Sequence, residues 1–148
     1  MPGAVEFCVY AREKGVTVFY VTNDREDLKG AIQHDLRKAG FPLDDLRETI
    51  LPGTEGGDKG PRRAAIGKEF RILLLIGDNA NDFASDFFGP TTAERADLAC
   101  KYASYWGTKW IVLPNPMYGS WEAAVFDYHF PDDQEERVRR KIQAFRFE

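Results

Sequence analysis

Asp78 and Asp82 follow directly on the apolar run Ile72 to Ile76, which Gly77 closes. Two carboxylates at such a position suit a hard cation such as Mg²⁺, which prefers oxygen ligands and usually keeps several waters. From the run alone, an equal reading makes Asp78 the cap of the next helix and Asp82 a solvated first-turn residue, since Asp is a favoured N-cap. Earlier in the chain, Thr22 and Asn23 end the β-branched and aromatic run Val16 to Val21, offering a hydroxyl and an amide that can donate to phosphate oxygens. Between the two lies Lys59, with Arg62 and Arg63 close behind. These cations can neutralise a phosphoryl group as charge shifts to its leaving oxygen. Taken singly, each has an ordinary structural explanation: Thr22 as a helix cap, Lys59 as a surface lysine, Arg62 and Arg63 as solvated side chains. Hydroxyl, then lysine, then acidic pair, each at a strand end or helix start, is a layout for phosphoryl transfer rather than acyl transfer.

These groups need a scaffold that gathers strand ends. Five consecutive Ile and Leu residues at 72–76 are too few for a buried helix and read as a strand buried on both faces of a parallel sheet. In open α/β sheets ligands collect at the carboxyl ends of strands, which places Asp78 and Asp82 at the rim. Pro2 to Lys14 reads as an amphipathic helix ended by Gly15, and Val16 to Val21 as a second buried strand. Asp24 to Ala39 carries Leu28, Ile32 and Leu36 at fourfold spacing, a helix stopped by Gly40 and Pro42. Leu43 to Leu46 reads as a helical turn and Thr49 to Leu51 as a short strand. Gly53 to Gly60 reads as a loop and Lys59 to Lys68 as a helix. Helical pieces follow between Asn81 and Ala103, then a strand at Trp110 to Leu113, and helices at Gly119 to Phe126 and Asp132 to Phe145. The order predicts an α/β fold with a parallel sheet and helices on both faces. Without an internal repeat, low-complexity stretch or linker, residues 1–148 read as a single domain.

Composition narrows the class. With 148 residues, 43% hydrophobic and 30% charged, the chain can build a core. A formal charge of -4 and dispersed basic residues argue against a nucleic-acid polymer as partner. Cys8 and Cys100 lack a short motif spacing and read as core thiols. No apolar run is long enough for a transmembrane segment, and Met1-Pro2-Gly3-Ala4 lacks the basic start of a signal sequence.

Five segments together resemble the haloacid dehalogenase superfamily. They are Pro2 to Phe7, Val18 to Asn23, Asp58-Lys59-Gly60-Pro61-Arg62-Arg63, Gly77-Asp78-Asn79-Ala80-Asn81-Asp82-Phe83 and Leu113 to Glu122. Within it, the segments resemble the acid phosphatase branch: class B and C enzymes, lipoprotein 5′-nucleotidases and plant vegetative storage proteins. The resemblance implies a Rossmannoid core that hydrolyses phosphomonoesters, such as nucleotides, with Mg²⁺ through an aspartyl-phosphate. It implies Thr22, Asn23 and Lys59 as phosphate-binding residues, with Thr22 and Lys59 catalytic, and Asp78 and Asp82 as metal-binding residues. Asp82 would act through water or by supporting hydrogen bonds. Arg62 and Arg63 match the family's basic pair and are expected to support structure. Asp24 stands where the family usually has arginine, with Arg25 one step later.

A larger departure concerns the nucleophile. The family attacks phosphorus with the first aspartate of Asp-x-Asp-x-Thr, yet no Asp-x-Asp occurs in this sequence and no aspartate precedes Asp24. The expectation is therefore a carboxyl-terminal portion of a phosphatase core, its first strand and cap region lying outside the chain, and inactive alone. An incomplete sheet would also expose apolar strand edges and favour self-association into a homo-oligomer. The competing expectation is a non-catalytic storage or binding relative that has shed the nucleophile. A phosphoacceptor receiver domain fits less well, because the Asp78 to Asp82 spacing and the Trp121 segment follow the phosphatase pattern. Periplasmic, outer-membrane-anchored or secreted localisation is implied by the resemblance alone.

Overall fold

The computed structural model describes residues 1–53 and 56–144, and the chain divides into two compact units, Met1–Arg62 and Arg63–Glu148. In the first, helix α1 (Ala4–Glu13) precedes strand β1 (Tyr20–Val21), and helix α2 (Lys29–Ala39) carries the chain to strand β2 (Ile50–Leu51). The strands pair in parallel, Tyr20 with Ile50 and Val21 with Leu51. Parallel pairing needs a crossover of this kind, which α2 supplies. The run expected as a strand from Val16 is paired only over its last two residues, because β2 is itself two residues long. The helix expected from Asp24 begins with a 3-10 turn, Glu26–Leu28, before α2. Leu43 to Leu46 forms no helical turn; it is irregular and then bent, with the Asp44 carboxylate accepting from the Leu46 N–H at 2.9 Å. Tyr20 anchors the far side of this unit: its ring meets Phe41 edge-on, and its hydroxyl donates to the Pro42 carbonyl at 2.7 Å. Burial pushes that phenol's pKa well up.

Helix α3 (Gly60–Glu69) contains the boundary between the units. Pro61 sits in its first turn, where a missing N–H costs nothing, and the Asp58 carboxylate accepts from the Gly60 N–H at 2.8 Å. In the second unit, strand β3 (Leu75–Gly77) pairs in parallel with strand β4 (Trp110–Val112), Leu75 opposite Trp110 and Gly77 opposite Val112. Between them run two 3-10 turns, Ala80–Asp82 and Ser85–Phe87, and helix α4 (Thr92–Lys101). Thr91 and Glu94 cap α4 reciprocally, each side chain accepting from the other's backbone N–H. Helices α5 (Ser120–Val125) and α6 (Gln134–Ala144) complete the unit; Phe145, where the last helix was expected to end, lies outside the described residues.

Phe83, Phe87 and Trp110 form the buried centre of the second unit, packed against Leu75, Leu98, Tyr102 and Trp106. Phe83 stacks on Trp110 with ring centroids 5.5 Å apart, and Trp106 stands edge-on to Phe83 at 5.4 Å. Such aromatic contacts add stability beyond the area they bury. They explain how a ladder of three residue pairs is held.

Among the described residues, parallel pairing is present as a two-stranded ladder in each unit. The expectation that Ile72 to Ile76 is buried on both faces does not hold: Ile72, Leu73 and Ile76 are 42%, 48% and 45% exposed. The physical reason is that β3 has one strand neighbour, β4, and successive side chains alternate faces. Leu75 turns toward the aromatic centre, and Ile76 points the other way. Cys100 is exposed and Cys8 half-buried, so neither is the buried core thiol its lack of motif spacing implied. Among the described residues no helix is long and apolar enough to cross a membrane.

Candidate functional site

In the first unit, two of the residues expected to bind phosphate, Thr22 and Asn23, contact Arg62. This side chain is 6% exposed. Its guanidinium donates to the Pro52 carbonyl at 2.7 Å, to Asn23 Oδ1 at 2.6 Å and, at 3.4 Å each, to the carbonyls of Leu51 and Asp58. It also donates to the Thr22 carbonyl. Every acceptor is neutral, and burial lowers the arginine's pKa. A planar group with five donors can span such a set, whereas a point-like ammonium cannot. Arg62 therefore ties the end of β1, the end of β2 and the turn that carries Lys59. Its Nε is the single buried side-chain polar atom without a partner among the described residues.

Thr22 is half-buried, and its hydroxyl donates to Asp24 Oδ2 at 2.5 Å while accepting from the Asp24 N–H at 3.1 Å. The Asn23 amide is engaged within the unit, donating to the Gly57 carbonyl at 2.8 Å and accepting from Arg62. Its side chain thus braces the loop with one of its two N–H donors. Arg25 turns away and makes a two-pronged contact with Asp27, at 2.9 and 2.8 Å. Gly53 lets the two strand ends close on each other: its N–H donates to the Asp24 carbonyl at 2.6 Å, and a Cβ would stand 2.5 Å from the Asn23 carbonyl oxygen.

In the second unit the acidic loop is equally determined. Asn79, not Asp78, caps the 3-10 turn Ala80–Asp82. Asp82 completes the reciprocal cap: its Oδ2 accepts from the N–H groups of Asp78 at 3.1 Å and Asn79 at 3.0 Å. That removes capping as the reason for Asp78. Its exposed carboxylate accepts one side-chain hydrogen bond, from Asn115 Nδ2 at 2.8 Å. Arg63 donates to the carbonyls of Asn81 and Asp82 at 3.1 Å each, so the second member of the basic pair is a brace as well.

Three residues that the sequence reading did not single out as site residues complete this loop. Ser120 Oγ lies 2.7 Å from Asn79 Oδ1 and 2.9 Å from Asn81 Oδ1. Arg95 reaches the same two oxygens at 3.4 and 3.3 Å and donates to the Phe87 carbonyl at 2.6 Å; burial lowers its pKa. Asn115 accepts from the N–H groups of Met117 and Tyr118 at 3.1 and 3.3 Å, a local turn that leaves its amide free for Asp78. Asn115 and Ser120 lie in the segment Leu113 to Glu122 that marks the branch, but nothing in their spacing names their partners.

A Mg²⁺ ion bound through one or two carboxylates, with waters and phosphate oxygens completing the shell, fits this donor set. Asp78 offers an exposed carboxylate, and Asp82 is committed to the backbone that shapes the loop. Among the described residues no group of three His, Cys, Asp or Glu side chains forms a metal cage. Thr22, Asn23 and Lys59 thus fall in one unit and Asp78 and Asp82 in the other.

Residues 1–121 match the HAD superfamily, subfamily IIIB (acid phosphatase). The fold is similar to that of the class C acid phosphatase from Bacillus anthracis, with a TM-score of 0.88 at 30% identity over 99% of this chain and 61% of that one. A second structure of the Bacillus anthracis class C enzyme, with tungstate bound, matches at a TM-score of 0.86 and 30% identity, over 99% of this chain and 62% of that one. This chain therefore spans about three fifths of the length of those structures. The α/β fold expected from the order of elements is a haloacid dehalogenase-like fold, and the chain belongs to subfamily IIIB of the HAD superfamily, the acid phosphatases.

Proposed function

We propose that this chain carries the phosphoryl- and cation-binding side of a Mg²⁺-dependent acid phosphatase acting on small phosphomonoesters, 5′-nucleotides among them. The observation that carries the reading is the convergence of Thr22, Asn23 and the Asp58–Lys59 turn on one buried guanidinium, that of Arg62. A cation held there by neutral oxygens adds positive potential beside the Thr22 loop, and the Asp58 carboxylate favours its charged form. Thr22 and Lys59 would donate to phosphoryl oxygens, and Asn23 would hold the loop. Asp78 would hold Mg²⁺ directly, with Asp82 setting the direction of the Asp78 and Asn79 N–H groups. Bound Mg²⁺ would supply charge neutralisation at the phosphoryl oxygens.

The sequence contains no Asp-x-Asp to supply a carboxylate nucleophile. We therefore expect the 148-residue chain alone to hydrolyse p-nitrophenyl phosphate at the background rate with Mg²⁺ present. Turnover that Asp78→Asn abolishes would contradict this.

That same lack of Asp-x-Asp favours a second reading, a storage or binding relative without catalysis. Tungstate titration separates the two. A phosphatase-derived site should bind this phosphate analogue, with Thr22→Val and Lys59→Ala each weakening it about tenfold, a loss equivalent to one charge-assisted hydrogen bond. A storage relative should show no dependence on either residue. Exposed Ile72, Leu73, Ile76 and Val112 further support self-association of the chain, to be measured as a concentration-dependent sedimentation coefficient.

A further inference from the structure

We infer that Asp24 is a built-in competitor of the phosphoryl group for the Thr22 hydroxyl, so that anion binding requires the Asp24 carboxylate to swing away. The inference rests on the phosphoryl-binding reading of Thr22 and Lys59.

A threonine hydroxyl has one proton to donate. Here it goes to Asp24 Oδ2 at 2.5 Å, and the Asp24 N–H in turn donates to Thr22 Oγ1 at 3.1 Å. A phosphoryl oxygen accepting from Thr22 would have to replace the carboxylate oxygen. Both claimants are anions, so they cannot share the position without repulsion.

Neighbouring groups do not relieve the conflict. Arg25, the nearest cation in sequence, is committed to Asp27, and no cation pairs with Asp24 among the described residues. Arg62 is directed at carbonyls and at the Asn23 amide. The main chain of Asp24 is pinned through its carbonyl by the Gly53 N–H at 2.6 Å, which leaves side-chain rotation as the route of release. Asp24 is exposed, so a rotated carboxylate has water to enter. The strand end therefore has two arrangements, one closed by its own carboxylate and one open to an external anion.

The test is orthophosphate titration of the 148-residue chain by calorimetry, comparing Asp24→Asn, Asp24→Ala, Thr22→Val and Lys59→Ala with the unaltered protein. Asp24→Asn and Asp24→Ala should each tighten orthophosphate about tenfold, the order of magnitude expected for removing a like charge within about 4 Å in water-accessible surroundings. Adding Thr22→Val to Asp24→Ala should abolish the gain. Both Asp24 variants keep the main-chain contacts of the loop, and an unchanged Tm verifies that they fold. Unchanged or weaker binding in both Asp24 variants, while Thr22→Val and Lys59→Ala weaken it, overturns the competition and leaves the phosphoryl site standing. Affinity indifferent to Thr22 and Lys59 overturns the reading underneath and the inference with it.

Discussion

The Asn115 amide donates to the Asp78 carboxylate at 2.8 Å, the one side-chain hydrogen bond that orients this acid among the described residues. Asn115 is itself set by the N–H groups of Met117 and Tyr118. The segment after β4 thus aims the carboxylate proposed to hold the cation. Groups that orient a metal ligand typically matter about 10- to 100-fold for affinity. Asn115→Ala should weaken Mn²⁺ binding by about tenfold in a water-relaxation titration, at the low end because Asp78 is exposed. Equal affinity in the variant would show that the contact does not prepare Asp78 for a cation.

Arg62 should be the most stability-sensitive polar residue of the first unit. Its removal takes a donor from the carbonyls of Thr22 and Pro52 and from the Asn23 amide oxygen, while the Leu51 carbonyl keeps the Thr22 N–H. A buried neutral acceptor left unsatisfied costs about 1–3 kcal/mol. Arg62→Ala should lower the urea midpoint accordingly. Arg62→Lys should recover only a small part, since one ammonium cannot reach acceptors spread around a planar fork.

Gly77→Ala tests how tightly the acidic loop is built. A Cβ at Gly77 would collide with Asp82 Oδ2 and stand 2.5 Å from Asp82 Cβ. Asp82 cannot yield without releasing the N–H groups of Asp78 and Asn79. The substitution should destabilise the second unit by about 2 kcal/mol or more, read by denaturation, because overpacking and lost hydrogen bonds add. Gly67→Ala is the matched control, since a Cβ there meets only Ile72 Cδ1 at 3.9 Å.

Acid should loosen the edge of the aromatic centre through Asp86. The Lys101 ammonium, at 2.8 Å, and then the Tyr102 hydroxyl, at 2.6 Å, hold the Asp86 carboxyl below its ordinary value of 3.8. A depressed folded-state pKa stabilises above the unfolded value and loses that contribution as pH falls through the folded value. The loss therefore belongs below about pH 4. The group is largely exposed, so Asp86→Asn should cost less than about 1 kcal/mol at pH 7. Denaturation midpoints at pH 6 and pH 3 should converge for the two proteins at the lower pH.

Much of the candidate site is legible as an order of residue types, hydroxyl, then lysine, then acidic pair, that suits the phosphoryl chemistry proposed for it. Thr22, Lys59 and Asp78 could be named from the ends of apolar runs and from the segments flanking them. Asp82 could be named as well, although its capping of the Asp78–Asn79 backbone could not be told apart from a cation-binding role by spacing. Taken singly Arg62 reads as a solvated cation, since an arginine in the first turn of a helix is usually exposed, but the fold buries it. Burying it requires carbonyls from three separate segments, and no local pattern announces that.

The amino-acid sequence by itself determined most of the elements and the residue types that end them, because apolar runs, glycine stops and caps act over a few residues. Tertiary structure alone decided that Arg62 faces inward and that Asn115 rather than a helix end holds Asp78. Those outcomes depend on donors and acceptors up to about forty positions apart in sequence, Arg62 with Thr22 and Asn115 with Asp78, meeting at hydrogen-bond distance. Only the folded chain sets such distances.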